Sequence, residues 1–274
     1  MRFGLSFPNF GGFADPGVLV DLAVRAEESG WDGFFLWDHI VVADGMPVAD
    51  PWVALGAVAQ ATSRISVGVM VVALPRHRPW VVARQAVSVD HLSRGRMVLG
   101  VGIGFPPAEE FGTFGDPEDE RIRADMLDEG LEIVEGVWGN RPFGFDGSHY
   151  TVVATTFAPP AVQQPRIPIW VAAMLPNRRP LRRSARFDGV VPMRADGGAM
   201  TPDDVAFVRR YVAEHRSSDS RFDIAIGGGP ISQSALGELS DAGLTWYLGG
   251  PSPEGEPIAE TMTWVSAGPA AYAV

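Results

Sequence analysis

The sequence contains no cysteine, and arginine accounts for all 22 of its basic residues, so lysine is missing as well. The lack of cysteine excludes disulfides, thiol nucleophiles and metal sites built on thiolates. The lack of lysine excludes aldolases and pyridoxal-phosphate enzymes that form a Schiff base with lysine, and it also excludes a complete P-loop. The two absences therefore remove several common covalent and nucleotide-dependent chemistries.

Long apolar runs and an excess of positive charge are also missing. No stretch approaches the roughly 20 apolar residues that a membrane-spanning helix needs, and the first seven residues lack the apolar core and cleavage site of a signal peptide. The formal net charge of −11 opposes binding to nucleic acid and to anionic membrane surfaces. We therefore expect a cytoplasmic protein that acts on a small molecule, with no nucleic-acid or membrane partner.

The sequence does contain a repeated alternation of strand-like and helix-like segments. The predicted strands are 2–7, 31–37, 64–73, 96–102, 169–172, 189–193, 222–226 and 244–248. Eight such units in 274 residues, without a linker, predict a single α/β domain over residues 1–274 that folds as a closed (β/α)8 TIM barrel. The Gly- and Pro-containing stretch 141–168 predicts a hairpin excursion between the fourth helix and the fifth strand.

The barrel interpretation also places the candidate site, because active sites of such barrels lie at the carboxyl ends of the strands. Asp38 and His39 directly follow the apolar second strand. One interpretation is a salt-linked pair that closes the strand. The other is a histidine that handles a proton, which suits a side chain with an ordinary pKa of about 6.5. We favour the second interpretation.

A glycine alternation, GVGIG at residues 100–104, ends the predicted fourth strand. Glycines at this place relieve crowding inside a barrel, or they let the backbone approach a flat ring or a phosphate closely. The segment is not a dinucleotide-binding fingerprint, because the Phe-Pro-Pro that follows cannot open a helix directly. Both interpretations of the glycines remain open at this point.

Metal and serine chemistry find little support in the sequence. The chain has five histidines, and none forms the His-x-His pair that hydrolytic barrels often carry on the first strand. No Gly-x-Ser-x-Gly motif of a serine hydrolase occurs. We predict no metal site, and we keep a metal-dependent hydrolase as the less favoured alternative.

Several segments occur in an order that resembles a known family. They are FFLWDHI, DPWVALGAVAQATSRISVGV, LPRHRPWVVARQAVSVDHLSRGRMVLGVGIG, DEGLEIVEGVWG and IPIWVAA. Together they resemble the bacterial luciferase-like family of flavin- and deazaflavin-dependent oxidoreductases, chiefly over residues 1–193. The resemblance implies a (β/α)8 barrel that binds FMN or the deazaflavin coenzyme F420 over its mouth. It also implies an oxidoreductase or monooxygenase that forms a homodimer.

The resemblance also implies roles for individual residues. His39 corresponds to an acid/base beside the flavin, and Asp38 to the residue that orients it or bonds the cofactor. Further cofactor-binding positions lie at the ends of the third, fourth and fifth strands: Met70 and Val71, joined by a non-proline cis peptide; Gly102, Ile103 and Gly104; and Ala172, Ala173 and Met174.

Two departures from the family pattern narrow the expected activity. The family's deazaflavin-dependent sugar and alcohol dehydrogenases carry a tryptophan and a glutamate where this chain has Ala43 and Phe105. We therefore disfavour that kind of dehydrogenase and retain a monooxygenase or a reductase of an unsaturated substrate. The fifth-strand end is Ala-Ala instead of glycine, which keeps a non-catalytic flavin-binding barrel as an alternative.

Other candidate residues surround the predicted mouth. Arg76, His77 and Arg78 lie in the loop after the third strand. Four arginines near the start of the fifth helix form either a solvated helix face or an anion site for the cofactor: Arg178, Arg179, Arg182 and Arg183. Because arginines can meet the extra anionic groups of the deazaflavin, we expect F420 to bind more tightly than FMN. We expect an apolar substrate pocket lined by Phe10, Phe13, Trp37, Phe105 and Met193, although these side chains equally suit a core.

Overall fold

A computed structural model describes residues 1–43, 45–251 and 256–272. Its strands are β1 (Arg2–Phe7), β2 (Gly33–Leu36), β3 (Ser66–Ala73), β4 (Met97–Gly102), β5 (Phe143–Asp146), β6 (Thr151–Thr155), β7 (Ile169–Leu175), β8 (Gly189–Arg194), β9 (Asp223–Gly228) and β10 (Trp246–Gly249). Eight of them form a closed parallel barrel in the order β1-β10-β9-β8-β7-β4-β3-β2, and β5 pairs with β6 in a separate antiparallel hairpin. The predicted TIM barrel and the predicted hairpin excursion are both confirmed.

Helices follow the barrel strands and cover the outside of the barrel. They are α1 (Pro16–Glu28), α2 (Pro51–Ala61), α3 (Pro79–Ser93), α4 (Pro107–Glu110), α5 (Glu120–Trp138), α6 (Arg178–Ser184), α7 (Pro202–His215), α8 (Gln233–Ala242), α9 (Ile258–Ala267) and α10 (Pro269–Tyr272). In the described part of the chain, none of them combines the length and the apolar character that crossing a membrane requires.

Capping residues followed by proline set the starts of three of these helices. Asp15 accepts a hydrogen bond from the backbone of Gly17, and Asp50 accepts one from Val53. Thr201 and Asp204 form a reciprocal capping box. Proline at the first helical position loses no hydrogen bond, because the first N–H groups of a helix have no partner within it. The Asp-Pro at residues 50–51 and the Thr-Pro at residues 201–202 are therefore local start signals that the sequence itself displays.

Several strand ends differ from prediction, and two of the differences adjoin the predicted site. The second strand is shorter than 31–37, because the N–H of Trp31 bonds to Ala26 in the turn after α1. The fifth barrel strand, β7, continues beyond residue 172 to Leu175, because its pairing with β8 extends as far as Arg194. Ala173 and Met174, predicted at the end of this strand, therefore lie within it.

The lower part of the barrel interior is filled by aromatic rings. Phe35, Trp170 and Trp246 are almost completely buried there, and their ring centroids lie 5.5–5.9 Å apart. Glycines make room for them: a Cβ atom at Gly33 would lie 2.6 Å from the Phe35 ring, and one at Gly189 would lie 2.5 Å from Trp170. These aromatic rings therefore form a filled floor, and Asp38 and His39 follow β2 at the opposite, carboxyl ends of the strands.

Candidate functional site

His39 lies at the mouth of the barrel and is held from several sides. Its Nδ1 atom is 2.9 Å from Oε1 of Glu110, on the short helix α4. The amide of Asn9 bonds to both the N–H and the C=O of His39. The ring packs against Phe10 and Trp37, with centroid distances of 5.3 and 5.9 Å. The site thus fixes the imidazole while leaving its side chain 22% exposed.

The surroundings of His39 favour its neutral form. Burial lowers the pKa of the imidazole, the guanidinium of Arg76 lowers it further, and the carboxylate of Asp38 acts in the opposite direction. An ionised Glu110 can only accept a hydrogen bond, so Nδ1 of His39 carries the hydrogen. Nε2 is then the nitrogen that takes up or releases a proton.

Asp38 is buried and anchors the neighbouring loop. Its Oδ2 atom accepts hydrogen bonds from the backbone N–H of Ala73, at 3.0 Å, and from Nε2 of His77, at 2.8 Å. The same oxygen is 2.9 Å from Nη2 of Arg76, which also donates to the backbone carbonyl of Asp38. These contacts connect the end of β2 to the end of β3, so Asp38 and His39 face different partners.

Arg76 connects the two carboxylates of the site. Its guanidinium contacts Asp38 on one side and Oε2 of Glu110 on the other. Burial lowers the pKa of Arg76, and the charge of Asp38 opposes this shift. Glu110 is 1% exposed and also accepts hydrogen bonds from the backbone N–H groups of Ile40 and Val41.

Sequence reasoning missed Glu110. It noted that Phe105 replaces a glutamate of the family's dehydrogenases, whereas Glu110 brings a carboxylate to His39 from five residues further along. Glu110 lies on the single turn α4, and a helix this short has no helical periodicity that would reveal it in the sequence. The pair is also separated by 71 residues, a spacing that no local pattern reports.

The predicted cofactor segment of β3 lies inside the strand. The Met70–Val71 peptide bond is cis, as the resemblance implied, and this prediction is confirmed. The pairing of β3 with β4 shifts register between Val69 and Val72, so this segment bulges out of the regular ladder. Only Val72 separates it from the strand end at Ala73.

Gly102, Ile103 and Gly104 lie beside this bulge. A Cβ atom at Gly102 would lie 2.9 Å from Val71 and 3.3 Å from the Cβ of Ala172. The contact places the third, fourth and fifth barrel strands together at the mouth. Nη1 of the buried Arg123, on α5, donates to the carbonyls of Ile103 and Gly104 at 2.9 and 2.7 Å. Sequence reasoning missed Arg123, which looks like an ordinary helix arginine.

The β7 positions divide between two environments. Ala173 is fully buried in the core between barrel and helices, so only its backbone is available to a ligand. Ala172 approaches Gly102 inside the barrel. Met174 pairs in register with Met193 of β8, and the two side chains are 39% and 43% exposed.

The residues predicted to line the substrate pocket also divide. Phe10 and Trp37 contact each other beside His39, at a centroid distance of 5.9 Å. Phe105 is 75% exposed after β4. Phe13 takes the other alternative, a core position: it is 5% exposed and packs on Phe7, because a 3-10 turn at Gly11–Phe13 directs it inward.

The arginine cluster of α6 is largely occupied by contacts with α5. Arg179 bonds to Asp125 and Asp128, and the buried Arg183 bonds to Asp128 and to the carbonyl of Ala124. These two arginines therefore act as helix–helix ion pairs. Arg178, Arg179 and Arg182 are the exposed members of the cluster, and Arg179 is already occupied by its ion pairs.

The remaining edge of the mouth, formed by β9 and β10, is lined by backbone. A Cβ atom at Gly229 would meet nothing within 4 Å, and one at Gly227 would meet only a carbonyl oxygen at 3.9 Å. Open backbone of this kind accommodates a flat ring and its polar side chain. The mouth thus combines a bulged strand, a glycine segment and a partly exposed histidine, which together fit a flavin-type cofactor.

Over residues 1–43, 45–251 and 256–272, no group of three or more His, Asp or Glu side chains is arranged to hold a metal ion.

Comparisons with known proteins address the fold and the family. An F420-dependent secondary alcohol dehydrogenase, solved with an F420–acetone adduct, aligns over 100% of this chain and 99% of its own, with a TM-score of 0.80 and 16% identity. A monooxygenase from Streptomyces bottropensis aligns over 97% of this chain and 96% of its own, with a TM-score of 0.76 and 21% identity. At these identities the likeness concerns the fold.

Among curated relatives, the F420-dependent glucose-6-phosphate dehydrogenase of Nakamurella multipartita is 35% identical over 184 residues, 64% of this chain and 51% of the relative. The 4-hydroxyprotoasukamycin monooxygenase of Streptomyces nodosus subsp. asukaensis is 36% identical over 119 residues, 42% of this chain and 32% of the relative. The matched part of the chain therefore spans about half the length of the dehydrogenase and about a third of the length of the monooxygenase. The family model described as luciferase-like monooxygenase matches residues 1–267. Since that match extends over nearly all of the 274 residues, the chain belongs to the luciferase-like monooxygenase family.

Proposed function

We propose that the protein is a single-domain, cytoplasmic oxidoreductase or monooxygenase that uses F420 or FMN to act on a small organic substrate. The observation that carries the proposal is the partly exposed His39, fixed by Glu110 beside the bulged β3 segment and the Gly102–Gly104 segment. The bound cofactor supplies hydride transfer or oxygen chemistry, and the chain positions it and excludes water.

His39 is the residue that we assign to proton transfer. Nε2 of the neutral ring takes a proton from the substrate or returns one to it, while Glu110 fixes the ring through Nδ1. Asp38 holds the loop after β3 in place and thereby positions His39. Backbone and side chains of three strands form the cofactor surface, at Met70, Val71, Gly102, Ile103, Gly104, Ala172, Ala173 and Met174.

The test of this assignment is His39→Asn, which removes the proton-transfer nitrogen but keeps a polar side chain. We expect the variant to fold and to bind the cofactor, while the single-turnover rate falls about 10²–10⁴-fold, the usual contribution of general acid–base catalysis. His149→Asn, on the exposed hairpin turn, is the matched control. An unchanged single-turnover rate in folded His39→Asn would leave Asp38 and His39 as architecture only.

Of the two cofactors, we infer that F420 binds more tightly. The support comes from the F420-dependent relative and from Arg178 and Arg182, which are exposed and able to meet an anionic tail. Side-by-side titrations with F420 and FMN at one salt concentration test the order, and tighter binding of FMN reverses it. Binding of either cofactor without turnover would favour the alternative, a non-catalytic flavin-binding barrel.

We also infer that two copies of the chain associate through α2 and α3. Helix α2 contains no charged residue, yet Val53 is 69% exposed and Ala57 is exposed on the same helix. Leu92 of α3 lies next to Gly56 of α2 and is also exposed, which extends the apolar surface across both helices. A surface without charge and with large apolar groups is typical of an interface.

A further inference from the structure

Five titratable side chains form a continuous network of contacts at the mouth. His39 contacts Glu110 at 2.9 Å, and Glu110 contacts the guanidinium of Arg76. Arg76 is 2.9 Å from Asp38, and Asp38 is 2.8 Å from Nε2 of His77. The network therefore begins and ends with an imidazole, and each imidazole contacts a different carboxylate.

Burial distinguishes the two end residues of this network from its three central residues. The side chains of Glu110, Asp38 and Arg76 are 1–5% exposed, whereas those of His39 and His77 are 22% and 24% exposed. Solvent consequently reaches the two imidazoles but hardly reaches the three central groups. Asp116 is a further acidic group whose charge acts on Arg76.

The summed charge of the five side chains of the network changes sign with the number of protons on its two imidazoles. Two carboxylates and one guanidinium give −1 when both rings are neutral, zero when one ring is protonated and +1 when both are. In a poorly solvated setting the first proton is favoured by the surrounding charge, and the second is opposed by it. The two histidines are therefore coupled although they do not touch.

We propose that His39 and His77 are coupled through the buried Glu110–Arg76–Asp38 bridge, so that a proton on one ring opposes a proton on the other and His77 acts as a positioning residue for His39. The packing of His39 against Phe10 and Trp37 disfavours its charged form. Under this coupling, His39 takes a proton from a substrate more readily when His77 carries none. The role in turnover rests on the proposed function, whereas the coupling does not.

The coupling can be measured in cofactor-free protein by NMR titration of the histidine ring nitrogens. In His77→Gln we expect the proton affinity of His39 to rise about tenfold, the effect of removing a nearby unit charge in a partly buried setting. Only the ring that binds the second proton experiences the charge of the first, so the reciprocal variant His39→Gln shifts the titration of His77 only if His77 is that ring. His149→Gln, on the exposed hairpin turn, should change neither.

Unchanged titrations of His39 in folded His77→Gln and of His77 in folded His39→Gln, found together, would overturn the proposal. If His77→Gln does not fold, His77→Asn provides the same test. The pH profile of turnover separates this inference from the proposed function. A shift of the profile in His77→Gln supports both, whereas a shifted NMR titration with an unmoved profile supports the coupling and contradicts the catalytic assignment of His39.

Discussion

Gly104 and Gly115 share a left-handed backbone conformation but differ in their surroundings. Their φ angles are +81° and +77°. A Cβ atom at Gly104 would lie 2.7 Å from the Phe111 ring and 2.9 Å from Ala73, whereas one at Gly115 would meet nothing within 4 Å. The two positions therefore separate the cost of the backbone conformation from the cost of crowding.

We predict that Gly115→Ala lowers the free energy of unfolding by about 1–2 kcal/mol, the cost of a left-handed alanine. Gly104→Ala should cost about 2–4 kcal/mol, because the ring of Phe111 or the backbone must also move. Urea denaturation measures both values, and cofactor titration should show weakened binding for Gly104→Ala alone. Equal losses of stability at the two positions would contradict the close packing of the glycine segment.

Arg123 illustrates how a side chain of one element stabilises the conformation of another. It lies on α5 and holds two carbonyls of the segment after β4. We predict that Arg123→Met preserves the barrel but weakens cofactor binding about 10–100-fold, since hydrogen bonds from charged donors typically contribute about 1.5–3 kcal/mol. Circular dichroism and cofactor titration measure the two quantities.

The matched control for this change is Arg121→Met, an exposed arginine on the same helix. It should leave cofactor affinity unchanged. Normal affinity in Arg123→Met would show that the Gly102–Gly104 segment keeps its shape without the arginine.

At the opposite end of the barrel, Glu27 connects the end of α1 to the start of β3. Its carboxylate accepts hydrogen bonds from the backbone N–H groups of Ser63, Arg64 and Ile65. Burial opposes its ionisation, but the hydrogen bonds together outweigh burial and lower the pKa of Glu27 from 4.5 to about 2. The folded state therefore favours the ionised form more than the unfolded state does.

Because this pKa is lowered on folding, the contribution of Glu27 to stability is present above the ordinary value of 4.5 and is lost as the pH falls towards about 2. We predict that Glu27→Gln lowers the free energy of unfolding by about 1–2 kcal/mol near neutral pH, after allowance for partial exposure, and by less at about pH 3. Glu28→Gln, at the exposed neighbouring position, should have little effect at either pH. If Glu27→Gln lowers the free energy of unfolding by the same amount at both pH values, that result would contradict the lowered pKa of Glu27.

The alternation of strands and helices could be predicted because each element repeats a local period. Asp50-Pro51 and Thr201-Pro202 marked helix starts for the same reason, since caps act on their own first turn. The true end of β7 could not be predicted, because its last residues are defined by pairing with β8. Asp38 and His39 could be placed at the mouth, but Glu110 could not, since its contact with His39 arises only when the barrel closes.

Association of two copies is the prediction that concerns the whole molecule. Ala57→Arg places a charge in the uncharged exposed face of α2, and burying that charge in an interface would be costly. We expect this variant to sediment as a monomer at concentrations where the unaltered protein is a dimer. Ala213→Arg, at an exposed position of α7, should leave the dimer intact. A monomeric unaltered protein, or a dimeric Ala57→Arg, would contradict this placement of the interface.

The aromatic floor of the barrel has a consequence for kinetics. Phe35, Trp170 and Trp246 close the lower interior, so molecules reach the site and leave it through the mouth. A flat ring lying across one side of that mouth narrows the passage for whatever binds beneath or beside it. Binding and release then follow a compulsory order, in which the molecule that enters last departs first. Initial-rate patterns would report that order even though no residue of the floor touches a reacting atom.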